Sequence, residues 1–173
     1  MELKLKKQKR VVGLLVLLLV LVGVYFAIPS GPAPHVHAKL KDLKLNELEM
    51  DVLYAKNGET LEDIKQKSHV LMVFFTLNCA DTKTNIARLN ALHQRDDIAV
   101  VGYLMAGISR AESFAKRNGV EFPIANPSLH YKQTFEPNVH PSSYLVRTSD
   151  LSVREKYVGI LFLQNIINSM SSF

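Results

Sequence analysis

The stretch Val70–Thr82, VLMVFFTLNCADT, constrains the fold more than any other part of the chain. Val70 to Phe75 is wholly apolar, short, and rich in β-branched and aromatic residues, the composition of a strand buried on both faces of a sheet. Behind it the period changes: Ile86, Leu89 and Leu92 recur every three residues through a segment free of Pro and Gly, which is helical spacing. A buried strand that feeds a helix through a tight turn places that turn at the carboxyl edge of the sheet, where the helix's free N–H groups and positive dipole end gather. Cys79, the only cysteine, sits in this turn. Helix N-termini favour the thiolate, which is the nucleophilic form; Lys83 adds to that effect and Asp81 opposes it. Most free cysteines are small buried hydrophobes, but the strand-to-helix junction argues for an exposed, functional position.

The chain has 173 residues and 47% hydrophobic content, enough for one domain with a real core and an appendage. Met1–Arg10 carries Lys4, Lys6, Lys7, Lys9 and Arg10, and Val11–Ile28 follows without a charge. An apolar run of about 18 residues spans a hydrocarbon core, and basic residues before it hold that end in the cytoplasm. The expectation is a cytoplasmic tail over 1–10, a transmembrane anchor over 11–28, and the rest of the chain on the extracytoplasmic, periplasmic side. A cleaved signal peptide ending near Val36-His37-Ala38 is the alternative, but signal cores usually have about 7–15 residues. The formal charge of +5 comes mostly from the tail; beyond it, 16 basic residues face 15 acidic ones, and nothing points to nucleic acid. A single cysteine in an oxidising space excludes an internal disulfide and leaves a reactive thiol or an intermolecular bond, including a Cys79-linked dimer. An anchor that concentrates chains in one plane favours such a dimer.

Residues 29–44 form a linker, Pro-rich and extended at its start, and 45–173 the domain. His35 and His37 alternate in that linker with no Cys or carboxylate beside them, too few ligands for a metal site; no metal or cofactor is expected. Lys39–Met50 is an irregular lead-in or an edge strand, and its period does not decide which. A strand at Asp51–Tyr54, an Asn57-Gly58 turn and a helical lead over Glu59–Ile64 precede the central strand. Ile98–Met105 is a second apolar strand. Ser109 and Glu112 have capping-box spacing for the next helix, which Gly119 stops. A short strand at Val120–Ile124, a small helix from Pro127 through Phe135, strands at Ser142–Arg147 and Val153–Gly159 joined by a turn at Ser149–Ser152, and a terminal amphipathic helix over Leu161–Met170 complete the order. Strands separated by helices imply right-handed parallel crossovers, and the turn near Asp150 implies an antiparallel hairpin. The fold class is therefore α/β, a mixed sheet with helices on both faces, behind one N-terminal transmembrane helix. His69, His93 and His130 share no spacing and read as surface residues rather than catalytic bases.

These pieces, in this order, carry a resemblance. Thr60–Ile64, Val73-Phe74-Phe75 with Asn78-Cys79, Phe114–Pro123 and Val139–Val146 together resemble the thioredoxin-fold proteins, and more narrowly the membrane-anchored TlpA/redoxin group of thiol–disulfide proteins. The resemblance implies a cis-proline at Pro141 facing Cys79, with the backbone of His140 pairing with a substrate peptide. It also exposes a departure: the family's Cys-x-x-Cys reads Cys79-Ala80-Asp81-Thr82, so Thr82 stands where the resolving cysteine belongs, and Asn78 stands where the family often has Trp.

Three functions follow from that departure. In the first, Cys79 attacks a protein disulfide or a low-molecular-weight one and a separate thiol resolves the product, with Thr82 donating a hydrogen bond to the thiolate. In the second, the fold is a redox-inactive binding or assembly module that uses the groove around Pro141. In the third, the chain is a one-cysteine peroxidase, since Thr76-x-x-Cys79 resembles the Thr-x-x-Cys of peroxiredoxins, although Met72 occupies the place of that family's proline and no Arg is assignable as partner.

Overall fold

The computed structural model describes residues 43–135 and 139–172. The basic tail, the anchor and nearly all of the linker, His35 and His37 included, lie outside the described residues. No described helix is long and apolar enough to cross a membrane.

Six strands form one sheet in the order β1-β4-β3-β2-β5-β6. β1 is Asp51–Tyr54, β2 His69–Phe75, β3 Ile98–Leu104, β4 Ile124–Asn126, β5 Ser142–Arg147 and β6 Val153–Val158. The helices are α1 (Leu61–Lys65), α2 (Ala80–His93), α3 (Ala111–Asn118), α4 (Leu129–Phe135) and α5 (Leu163–Ser171). β2 runs parallel to β3, and β3 to β4, as helical crossovers require; β5 is antiparallel to both β2 and β6, and β1 is antiparallel to β4.

β2 and β3 are buried at all seven positions each, because both faces of the sheet are covered. On one face Leu71, Val73 and Phe75 meet Ile86, Leu89 and Leu92 of α2, Phe114 of α3 and Ile166 of α5. On the other, Val70, Met72 and Phe74 meet Ile64 of α1 and Tyr131 and Phe135 of α4. Phe74 is the centre of an aromatic cluster, with ring centroids 5.1 Å from Tyr103, 5.1 Å from Phe135 and 5.6 Å from Tyr144.

Local rules held where packing agreed with them. The lead-in is irregular: Leu45 N–H bonds the Leu151 carbonyl at 2.9 Å and Val153 N–H bonds the Leu43 carbonyl at 2.9 Å, which ties it to the β5–β6 turn, while Leu45 and Leu48 enter the core. The expected strand over Val120–Ile124 begins instead at Ile124. Val120 and Phe122 point into the core, and Pro123 has no N–H to give to a ladder.

The expected cap at Ser109 is also corrected. The chain turns through Gly107, at φ 80°, into a 3₁₀ turn over Ile108–Arg110, so α3 starts at Ala111 with Arg110 at its N-cap and no side-chain cap. Glu112 pairs with Lys116 at 2.7 Å instead. The capping box lies at α1, where Asp63 N–H bonds Thr60 Oγ1 at 3.3 Å and Thr60 N–H bonds Asp63 Oδ2 at 2.8 Å. Thr60→Ala should therefore cost about 1 kcal/mol in urea unfolding, whereas Ser109→Ala should stay within about 0.5 kcal/mol of the parent. The reverse order would place the working cap at Ser109.

Candidate functional site

The antiparallel pairing of β5 with β2 builds the site. Phe74 sits opposite Ser142, so the exit of β2, which leads to Cys79, lies beside the entrance of β5, which carries His140 and Pro141. Cys79 is the N-cap residue of α2, half-buried, in extended conformation, and its side chain caps none of the helix amides. Its N–H meets the Thr76 carbonyl at 3.4 Å. Its Sγ lies 3.3 Å from the His140 carbonyl and donates to it. The His140-Pro141 bond is cis. Two residues 61 positions apart in sequence are thus brought into contact at one edge of the sheet.

Thr82 lies one turn into α2, buried, and its Oγ1 makes no hydrogen bond. With Cys79 as a thiol, Thr82 makes no hydrogen bond to the sulfur, whose proton is directed to the His140 carbonyl. His140 Nδ1 is likewise buried without a partner.

Two residues that sequence reasoning missed hold this edge together. Asn85 on α2 is fully buried and uses both ends of its amide: Nδ2 donates to the Gly159 carbonyl at 2.8 Å, and Oδ1 accepts from Leu161 N–H at 2.9 Å. Gly159, at φ 76°, donates its N–H to the Pro141 carbonyl at 2.9 Å. The loop after β6 is thereby clamped between α2 and the Pro141 turn. The Asp81 carboxylate lies against Gly159, 3.6 Å from where a Cβ would stand. Asn85 carried one signal in the sequence: it is a polar residue one position before Ile86, inside the apolar stripe rather than opposite it. Around the site Val139, Val158, Ile160 and Phe162 are exposed, an apolar rim.

The reading of the histidines as surface residues holds for His130 and fails for the other two. His69 is buried as the first residue of β2, with Ser68 Oγ 3.0 Å from its Nδ1. His93 closes α2 half-buried, with Nδ1 accepting from Val100 N–H at 3.3 Å and Nε2 3.5 Å from Glu59 Oε1. Neither reaches Cys79's contacts. Among the described residues no group of three or more His, Cys, Asp or Glu is arranged to hold a metal ion.

Burial lowers the pKa of His93 despite the opposing Glu59 carboxylate, and burial with the Arg147 and Arg154 charges lowers that of His69. An imidazole held below its ordinary value of about 6.5 keeps its stabilising share above that pH. The share is lost as the pH falls below it, because the unfolded chain then takes up protons that the folded one refuses. The urea midpoint should be level above about pH 7 and fall toward pH 5.5, with at most ~1.4 kcal/mol per pH unit from each histidine. A level midpoint across that range would mean that both imidazoles protonate as freely folded as unfolded.

No family model matches the chain, and no curated protein matches it in sequence. Solved structures do match. A DsbF homologue from Corynebacterium diphtheriae aligns at TM-score 0.64 and 19% identity over 84% of this chain and 96% of its own. A thiol-disulfide isomerase from Corynebacterium glutamicum aligns at 0.58 and 20%, over 73% and 96%. A thiol:disulfide interchange protein of the thioredoxin family from Chlorobium tepidum aligns at 0.56 and 14%, over 80% and 97%. The chain is a thioredoxin-fold protein. It shares that fold with these solved structures and carries one cysteine.

Proposed function

We propose that this protein is a membrane-anchored, extracytoplasmic thiol–disulfide exchanger that works through Cys79 alone. The observation that carries the reading is the half-buried Cys79 thiol at the N-terminus of α2, facing the His140 carbonyl next to cis-Pro141. Cys79 as thiolate attacks one sulfur of a disulfide; that S–S bond breaks, the other half leaves as a thiolate, and a mixed disulfide forms on Cys79. A second thiol, from a protein or a small molecule, then attacks the mixed disulfide, releasing the Cys79 thiolate and a new disulfide. Thr82, which by the resemblance stands where the family has its resolving cysteine, takes no part in that resolution; its buried hydroxyl makes no hydrogen bond. The backbone of His140 and the ring of Pro141 position the incoming chain. The anchor reading rests on the uncharged run Val11–Ile28 behind a basic tail, and an anchored chain is suited to a Cys79-linked dimer.

Incubation with bis(2-hydroxyethyl) disulfide tests the reading by mass spectrometry. One mixed disulfide per chain on Cys79, reversed by added thiol, is expected. An unmodified Cys79 would favour the second reading, a redox-inactive binding module, for which the exposed rim of Val139, Val158, Ile160 and Phe162 around the groove speaks. The peroxidase reading draws no such support: the sulfur donates to the His140 carbonyl, and the Thr76 backbone carbonyl accepts from the Cys79 N–H rather than meeting the sulfur.

A further inference from the structure

Next to Cys79 in sequence, a pocket of about 370 Å³ is lined by Leu77, Asn78, Lys83, Arg110, Phe114, Arg117 and Asn118. Its volume is in the range of small-molecule sites, about 300–1,000 Å³. Three of the lining residues are cations, brought together from three segments: Lys83 one turn into α2 from Cys79, Arg110 from the 3₁₀ turn, and Arg117 from the last turn of α3. None of the three is in an ion pair among the described residues. Two carboxylates on neighbouring segments are engaged elsewhere: Glu112 with Lys116 at 2.7 Å and Glu121 with Lys56 at 2.7 Å. Arg117 spends its Nε on the Ser113 carbonyl at 3.1 Å, which fixes the guanidinium while leaving its terminal nitrogens to donate. Asn118 Nδ2 is held by the Phe114 carbonyl at 2.8 Å. Like charges gathered without a counter-charge repel one another, so the arrangement is suited to an anion that the protein itself does not supply.

Resting on the exchange reading above, we infer that this pocket receives the carboxylates of a small anionic disulfide, so that the substrate of Cys79 is a low-molecular-weight, carboxylate-bearing disulfide rather than a neutral one. Asn78 bridges the two places, since it lines the pocket and directly precedes Cys79. Arg110, Arg117 and Lys83 hold the carboxylates while Cys79 attacks the nearer sulfur; the farther sulfur leaves as a thiolate, and the carboxylate-bearing half stays bound to Cys79 through the new S–S bond. Exchange is completed by a free thiol of the same class, which takes that half away and returns Cys79 as thiolate.

The test compares rates of Cys79 mixed-disulfide formation on the full chain with two probes, glutathione disulfide and neutral bis(2-hydroxyethyl) disulfide, in the parent and in the Arg110→Gln/Arg117→Gln double variant. The expected result is a rate with glutathione disulfide that falls about tenfold in the double variant and falls with added salt, while the neutral probe is unaffected by either. Equal loss with both probes, or no loss with either, overturns the pocket assignment and leaves the exchange reading standing. No reaction of the parent chain with either probe overturns the exchange reading and this inference with it.

Discussion

Cys79→Ser should reduce disulfide exchange to the uncatalysed background while leaving the fold intact. The serine hydroxyl fills nearly the same volume and can make the same donation to the His140 carbonyl that the thiol makes at 3.3 Å. It is not a nucleophile toward sulfur at neutral pH, because the reaction requires a thiolate. With no other cysteine in the chain, nothing takes over. Stability in urea should change by less than about 1 kcal/mol, since Cys79 is only half-buried and belongs to neither hydrophobic cluster. The companion substitution is Thr82→Cys, which places a second thiol one turn along α2 and should let an internal disulfide form and resolve mixed disulfides without added thiol. Exchange by Cys79→Ser at the parent rate would refute the thiol mechanism outright. A Thr82→Cys chain that still needs external thiol would show that the buried position of residue 82 cannot reach the sulfur.

Much of the fold was legible because the signals are local. The apolar run Val70–Phe75 and the spacing of Ile86, Leu89 and Leu92 placed β2 and α2, and β2 is buried on both faces as its composition requires. The hairpin of β5 and β6 followed from the turn near Asp150, and the mixed sheet from the alternation of strands and helices. What failed was local in appearance and non-local in cause. Ser109 and Glu112 have the right spacing for a cap, but the left-handed turn at Gly107 puts Ser109 in a 3₁₀ turn, and Glu112, inside α3, pairs with Lys116 instead. His93 looks like a helix-end flank and is covered by β3 and the Glu59 segment.

The site divides in the same way. Cys79 was readable from its position between strand and helix, whereas the contact with His140 rests on strand pairing across 61 residues, which only the likeness to a known family brought into view. Asn85 showed only as a polar residue inside the apolar stripe, and its role stayed hidden because its two partners lie 74 and 76 residues away. The cationic pocket was equally hidden: Lys83 was weighed for its charge near the sulfur, but Arg110 and Arg117 come beside it only when α3 packs on the sheet.

Asn85→Ala should cost about 3 kcal/mol, the largest loss expected from a single substitution of a polar residue here. It removes both partners at once: the Leu161 N–H loses its acceptor at 2.9 Å and the Gly159 carbonyl its donor at 2.8 Å. Leu161 and Asn85 are essentially inaccessible to water, and each buried group left unpaired costs about 1–3 kcal/mol. The loss should also be felt at the site, since the Gly159 N–H that bonds the Pro141 carbonyl belongs to the same clamp. Amide hydrogen exchange at Gly159 and Leu161 should rise by more than at β2 or β3. Asn85→Asp separates the two bonds. Its carboxylate can accept from Leu161 N–H but faces the Gly159 carbonyl with no proton to donate, so the ionised form is buried and half-satisfied. Burial then raises the folded-state pKa of that carboxyl above its unfolded value of about 3.9. The penalty of Asn85→Asp is therefore greatest at high pH and eases as the pH falls toward 4, when the protonated carboxyl can donate to the Gly159 carbonyl. That slope is opposite in sign to the one expected from His69 and His93, so the two should cancel in part between pH 7 and pH 5. Urea midpoints of Asn85→Asp and Asn85→Ala across this range check it: a gap between the variants that does not change with pH would mean that residue 85 is not buried at the clamp.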